Sequence, residues 1–204
     1  MKTAQLAAEM AQAFANLVET DGTELCDELG ISAPMLFFAQ LVGIAPIRFT
    51  GKDDLFEPDP AGELAYITPV CVHYPDTPLT ARPDLWVRFG NLIDLVSWCP
   101  RHPNTMHRRC GQASWLGAVD LHEPFAQLIH RSVLRWLQSG CEGLVLLGNA
   151  EDRRRVLWCL DHGWQAEDRA HQAELEQVLK PPEKPPPITI HREASRDARD
   201  HWGN

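Results

Sequence analysis

Apolar residues at Leu6, Met10, Ala13, Phe14, Leu17 and Val18 recur at three- and four-residue intervals, which predicts an amphipathic helix over residues 2–19. Thr20-Asp21-Gly22 stops it, and a second short helix, Thr23–Leu29, ends at Gly30. A third is predicted over Pro34–Gly43, with its proline in the first turn, where a missing N–H costs nothing. Residues 29–47 carry no charge, but Pro34, Gln40, Gly43 and Pro46 interrupt them, so the stretch reads as a buried core helix and not as a membrane span. These elements form a small N-terminal helical subdomain, residues 1–47.

From 48 to 83 proline and glycine punctuate the chain, predicting a connector that is mostly loop. Its one clear strand is Leu64–Val72, and Pro69 confines it to an edge or a bulge. The pattern then switches to period two. Leu85–Phe89 and Leu92–Trp98 read as strands joined by a tight Gly90-Asn91 turn. A loop, Cys99–Thr105, returns the chain along Met106–Cys110, and Ser114–Val119 adds a further strand, giving an antiparallel meander.

After Pro124 helix and strand alternate. Ser132 caps a helix over Val133–Ser139, Gly143–Leu147 is a buried strand, and Ala150–Asp161 is a helix. Trp164–Glu167 is a short strand and Asp168–Lys180 a last helix. The fold class is therefore α/β, more fully mixed α+β: the antiparallel meander followed by helix-strand units that form a partly parallel sheet, residues 84–180 in all. In the final segment, 181–204, the run Pro181–Pro187 predicts a stiff spacer to an edge strand at Ile188–His191 and a polar tail.

Charge and cysteine usage narrow the function classes. The net charge is -9. Residues 1–80 hold three basic and twelve acidic groups, so all the excess acid lies there, and a phosphate-bearing partner would have to meet the second part. Six scattered cysteines and no secretory pattern after Met1-Lys2-Thr3 predict reduced thiols and a cytoplasmic protein.

The densest group of potential ligands is Cys99, His102, His107 and Cys110, whose sulfur and imidazole donors suit a tetrahedral zinc ion; zinc is the one cofactor the sequence raises. The same stretch sets Arg101, Arg108 and Arg109 between Trp98 and Trp115, the aromatic faces and cations that single-stranded nucleic acid requires. Cys141 or Cys159 with His162 offers a thiol and a base, although a cysteine before a buried strand and another on a packed helix read more simply as core atoms. Phosphate-binding glycine loops, nucleophile elbows and the His-Glu-x-x-His pattern are absent. Asp94, inside a strand, is the most interesting lone carboxylate, its plain alternative being a solvent-facing strand residue.

The succession LWVRFGNLIDLVSW, then a strand ending Trp-Leu-Gly, then HRSVLRWLQSGCEGLVLL resembles the toprim segment of phage and plasmid primases over Leu85–Leu179. That family implies a magnesium-binding glutamate after its first core strand and an Asp-x-Asp after a later one. The corresponding positions here read Ile129-His130-Arg131-Ser132 and Gly148-Asn149-Ala150-Glu151-Asp152, so the resemblance implies a copy without catalytic magnesium. The texture is also similar to proteins of bacterial prophages. Together these readings predict a non-catalytic cytosolic accessory protein that acts by binding single-stranded nucleic acid or a protein partner, with a zinc-stabilised module or a thiol enzyme as the alternatives.

Overall fold

The computed structural model describes residues 3–19, 22–31, 41–51, 54–71, 92–117 and 126–180. The predicted strand Leu85–Phe89 with its Gly90-Asn91 turn, the proline run and the strand Ile188–His191 lie outside them. So does the predicted third helix apart from Leu41, Val42 and Gly43, and Gly43 opens a strand instead.

The first two helices are α1, Thr3–Glu19, and α2, Gly22–Leu29. Of the predicted stripe of α1, Val18 is exposed and Phe14 partly buried, while Leu6, Met10, Ala13 and Leu17 are buried. They lie on an antiparallel sheet of β1 (Gly43–Phe49), β2 (Phe56–Pro58), β3 (Glu63–Cys71), β4 (Leu92–Cys99) and β5 (His102–Arg108), in the order β2-β1-β3-β4-β5. A single bridge between Leu55 and Arg108 brings the two edges together, so the sheet curls around α1. Ile47, Phe56, Ile67, Leu92 and Leu95 close on Leu6 and Met10 inside the curl. Gly43 allows the helix to come this close, since a Cβ there would lie 2.6 Å from the carbonyl carbon of Ala13.

Two inner strands of this sheet carry prolines: β1 occupies a stretch that reads as helix and loop, whereas β3 matches the predicted strand Leu64–Val72 but is not an edge. Pro46 lies inside β1, and Pro69 lies inside β3, which is a central strand. Both prolines sit where one neighbour has run out: β2 pairing stops at Ile47, and β1 pairing stops at Ile67. A missing N–H is tolerated at such local edges, which is why Pro46 does not prevent β1 and Pro69 does not push β3 to the edge of the sheet.

The β4–β5 hairpin is tighter than the sequence predicts. Pro100 and Arg101 make the turn, and most of the expected loop is strand β5. The next strand, β6 (Trp115–Gly117), does not extend the meander but pairs antiparallel with β8 (Leu144–Leu146) in a second sheet. With β7 (Gln127–His130) and β9 (Trp164–Ala166), that sheet has the order β6-β8-β7-β9, and β7 runs parallel to both β8 and β9.

Helices α3 (Val133–Gln138), α4 (Ala150–Cys159) and α5 (Arg169–Leu179) follow β7, β8 and β9 in turn. Ser132, Asn149 and Asp168 cap them, each side chain accepting a backbone N–H of the first turn. Trp136 and Leu137 of α3 join Val145, Leu147 and Trp98 in the core between the sheets. Val156, Leu157 and Leu175 of α4 and α5 pack with Ile129, Leu144 and Leu146 in a separate cluster. Because Val145 and the Leu144–Leu146 pair alternate along β8, the two clusters lie on opposite faces of the sheet. The chain thus steps from β7 to β8 on one side, then returns past β7 to β9. No helix among the described residues is long and apolar enough to cross a membrane.

Candidate ligand-binding cleft

The residues singled out around the β4–β5 hairpin are mostly drawn into the architecture. Trp98 is buried, its indole Nε1 donates to Thr68 Oγ1 at 2.9 Å, and its ring stacks on Tyr66 with centroids 4.8 Å apart. Arg108 is buried too. Its guanidinium donates to the carbonyls of Gly111 and Ala113 at 3.3 and 2.9 Å and to Asp152 Oδ2 at 3.3 Å. Arg109 makes a two-pronged pair with Glu9 of α1, at 2.9 and 3.1 Å. Arg101, at the turn, and Trp115 are exposed.

The four potential zinc ligands are spread along the hairpin. Cys99 faces His102 across the turn, and His107 stands opposite Ser97 with its ring 4.1 Å from that of Phe49. Cys110 Sγ donates to the Ile93 carbonyl at 3.3 Å, and burial pushes its thiol up to about 11. No group of three or more His, Cys, Asp or Glu among the described residues is placed to hold a metal ion. Of the thiols considered for catalysis, Cys159 is exposed on α4, while burial pushes Cys141 up to about 12, well away from the thiolate a nucleophile needs.

Asp94 is not solvent-facing but fully buried. Its Oδ1 accepts the backbone N–H groups of Leu95, Arg109 and Cys110 at 2.9–3.0 Å, and its Oδ2 those of Gln112 and Ala113 at 2.8 and 3.2 Å. The carboxylate therefore gathers the turn after β5, and Arg108 clamps the carbonyls of the same turn to the first turn of α4. This is the joint between the two sheets, and within it Arg108 Nε is buried without a hydrogen-bond partner among the described residues.

An open arrangement occurs at the carboxyl ends of β7 and β9. A cavity of about 830 Å³ is lined on one side by the residues that leave β7, among them His130, Arg131, Ser132 and Arg135, and on the other by Glu167 and Asp168, which leave β9. Pro103 and Asn104 of β5 form a third wall. None of these residues is a binding or catalytic candidate in the sequence.

His130 is buried, with Nδ1 2.9 Å from Glu167 Oε1 and Nε2 2.9 Å from the Glu142 carbonyl. Both ring nitrogens meet protein acceptors, so a singly protonated ring donates to one of them and a doubly protonated ring to both. Arg131 reaches Asp168 at 2.6 and 3.0 Å and Glu174 at 3.4 and 3.3 Å. Those carboxylates hold its guanidinium more firmly protonated than usual. In return Arg131, and then the His171 N–H that Asp168 caps, lower the Asp168 carboxyl to about 2. Burial lowers the His171 imidazole, and Arg131 adds to the effect. Arg135 is exposed on the cleft wall, and its side chain has no partner among the described residues.

Comparison of the chain with protein families, curated proteins and solved structures gave no match. The stretches at the carboxyl ends of β7 and β8 do different things. The first, Ile129–Ser132, ends β7 and supplies the His130, Arg131 and Ser132 wall of the cleft; the second, Gly148–Asp152, belongs to the joint.

Proposed function

We propose that this chain is a non-catalytic accessory protein that acts by binding a small polar ligand in the cleft between β7 and β9. One observation carries the reading. Adjacent parallel strands send their following helices to opposite faces of the sheet, α3 to one and α5 to the other. The loops diverge and leave a crevice at the carboxyl edge, which is where open α/β sheets receive ligands. Its volume falls within the range of small-molecule sites, roughly 300–1,000 Å³.

The state of the side chains supports binding in preference to proton transfer. The imidazole of His130 is held at both nitrogens, which suits a fixed wall more than a general base. A nucleic-acid contact at the hairpin has less to support it, because Trp98, Arg108 and Arg109 are engaged internally, leaving Arg101 and Trp115.

The test is a fragment screen followed by amide chemical shifts. Binders at millimolar concentration are expected to perturb residues 130–139 and 167–168 together. Perturbation confined to the β4–β5 turn, or no binder at all, overturns the reading.

A further inference from the structure

Beside the cleft, and sharing Asn104, His130 and Arg131 with it, lies a smaller recess of about 120 Å³. Arg153 of α4 and His171 and Glu174 of α5 complete its polar wall, and apolar side chains make up the rest. At about 30 Å³ of liquid volume per water, the recess holds a few waters or one compact polyatomic group.

Two donors on this wall have no acceptor. Arg153 Nε is buried without a hydrogen-bond partner among the described residues. Burial lowers its guanidinium, and Asp54 and Arg108 then act on it with opposite signs, Asp54 standing too far away to pair. His171 is buried as well. Its Nδ1 accepts the Glu167 backbone N–H at 3.3 Å, which puts the proton of the neutral ring on Nε2. Among the described residues nothing accepts from that Nε2.

An unpaired cation with a buried nitrogen, beside a neutral donor that also lacks an acceptor, calls for an anion with more than one acceptor atom. The neighbouring carboxylates limit its charge. Glu174 lines the same recess and is paired with Arg131, which Asp168 shares, while Glu167 engages His130. Arg153 can balance one negative charge; a second would stand unbalanced against these carboxylates.

We infer that the ligand of the cleft carries a compact, singly charged oxyanion group, seated in the recess with its oxygens on Arg153 Nε and His171 Nε2. This rests on the cleft being the binding site and adds the group that it selects.

The probes are nitrate, sulfate and chloride, compared at equal ionic strength, with 2-hydroxyethanesulfonate as a monoanion that also bears a polar arm. Each is titrated into the full chain and followed by NMR of the Arg153 Nε–H and the His171 imidazole. Nitrate should shift both saturably, and sulfate and chloride should bind more weakly. The sulfonate should shift the same two side chains together with residues 130–135 and 167–168. Arg153→Met should weaken nitrate by on the order of tenfold or more, as the loss of a charged hydrogen bond allows. Arg153→Lys, which keeps the charge and serves where the first variant does not fold, should weaken it by a smaller factor. No saturable response, chloride or sulfate binding as tightly as nitrate, nitrate binding unchanged by these variants, or sulfonate contacts confined to the recess overturns the inference. In those cases fragment contacts at residues 130–139 and 167–168 would leave the broader reading standing, whereas their absence removes both.

Discussion

Two aspartates set the character of two parts of this molecule. Asp94 is sealed between β4 and the turn after β5, where five backbone N–H groups converge on it. Asp168 lies exposed at the mouth of the cleft, shared between the guanidinium of Arg131 and the first turn of α5. Both accept several hydrogen bonds, yet only the first has donors that water cannot reach when the carboxylate is removed. Saturation and burial make a joint; saturation at an open rim makes a wall that a ligand can meet. The difference comes from access to solvent and not from the number of bonds.

The strongest way to break that contrast is Asp94→Ala. Each backbone donor left buried and unpaired costs about 1–3 kcal/mol, so the loss should reach about 4 kcal/mol or more, a large part of a domain's stability. Urea denaturation measures it, and a loss under about 1 kcal/mol would show that water or a shifted turn replaces the carboxylate. Asp168→Ala should be much milder in the same measurement.

Next in size is Gly148→Ala, at the joint. Gly148 has φ of +78°, and an added Cβ would lie 2.5 Å from Asp152 Oδ2 and 2.8 Å from Arg108 Cζ. Left-handed strain and the displaced ion pair together should cost about 2–4 kcal/mol. Gly140, after α3, has φ of +81° and open space around it, so Gly140→Ala should cost only the strain, about 1–2 kcal/mol. Equal losses at the two positions would mean that the joint yields as readily as a surface turn.

The smallest expected effect is pH dependence. Burial lowers His171 beside the cleft and His107 on β5, so each binds its proton less readily folded than unfolded. Between those lowered values and about 6.5 the unfolded chain holds more protons, and stability should fall as pH drops below about 6.5. Arg131 repels a proton on His171, while Glu167, Asp168 and Glu174 partly offset this. Asp168 acts at lower pH: its contribution is present above 3.8 and is lost as pH falls toward about 2. Imidazole titration by NMR checks the first claim, and His171 titrating at or above 6.5 would refute it.

Much of the fold was legible where period and length agree. The α1 stripe, the capped helices after Ser132 and Asp168, and the buried strand around Leu144–Leu146 all follow from spacing and caps. Asp94 was not, because β4 is covered on both faces and a lone polar residue in such a strand carries no sign of which way it points. The cleft was less legible still. It joins residues nearly forty positions apart through β7 and β9, strands of four and three residues, too short to show a period. The Cys99–Cys110 stretch drew attention by its density in sequence, but strand pairing distributes those side chains among a turn, a ring contact and a core edge.

The pairing of Glu9 with Arg109 spans 100 residues. The helix that fills the curled sheet is synthesised before the strands β3 to β5 that receive it, which come tens of residues later. Leu6, Met10, Ala13 and Leu17 therefore have no complete partner surface until β4 exists, and no anchor until the turn after β5 has closed on Asp94. Contacts of such long range make folding slow relative to a local helical bundle, because the loop between the ends has to be closed before the contacts stabilise it. Helix α1 is thus made before its partner strands and seated only after them.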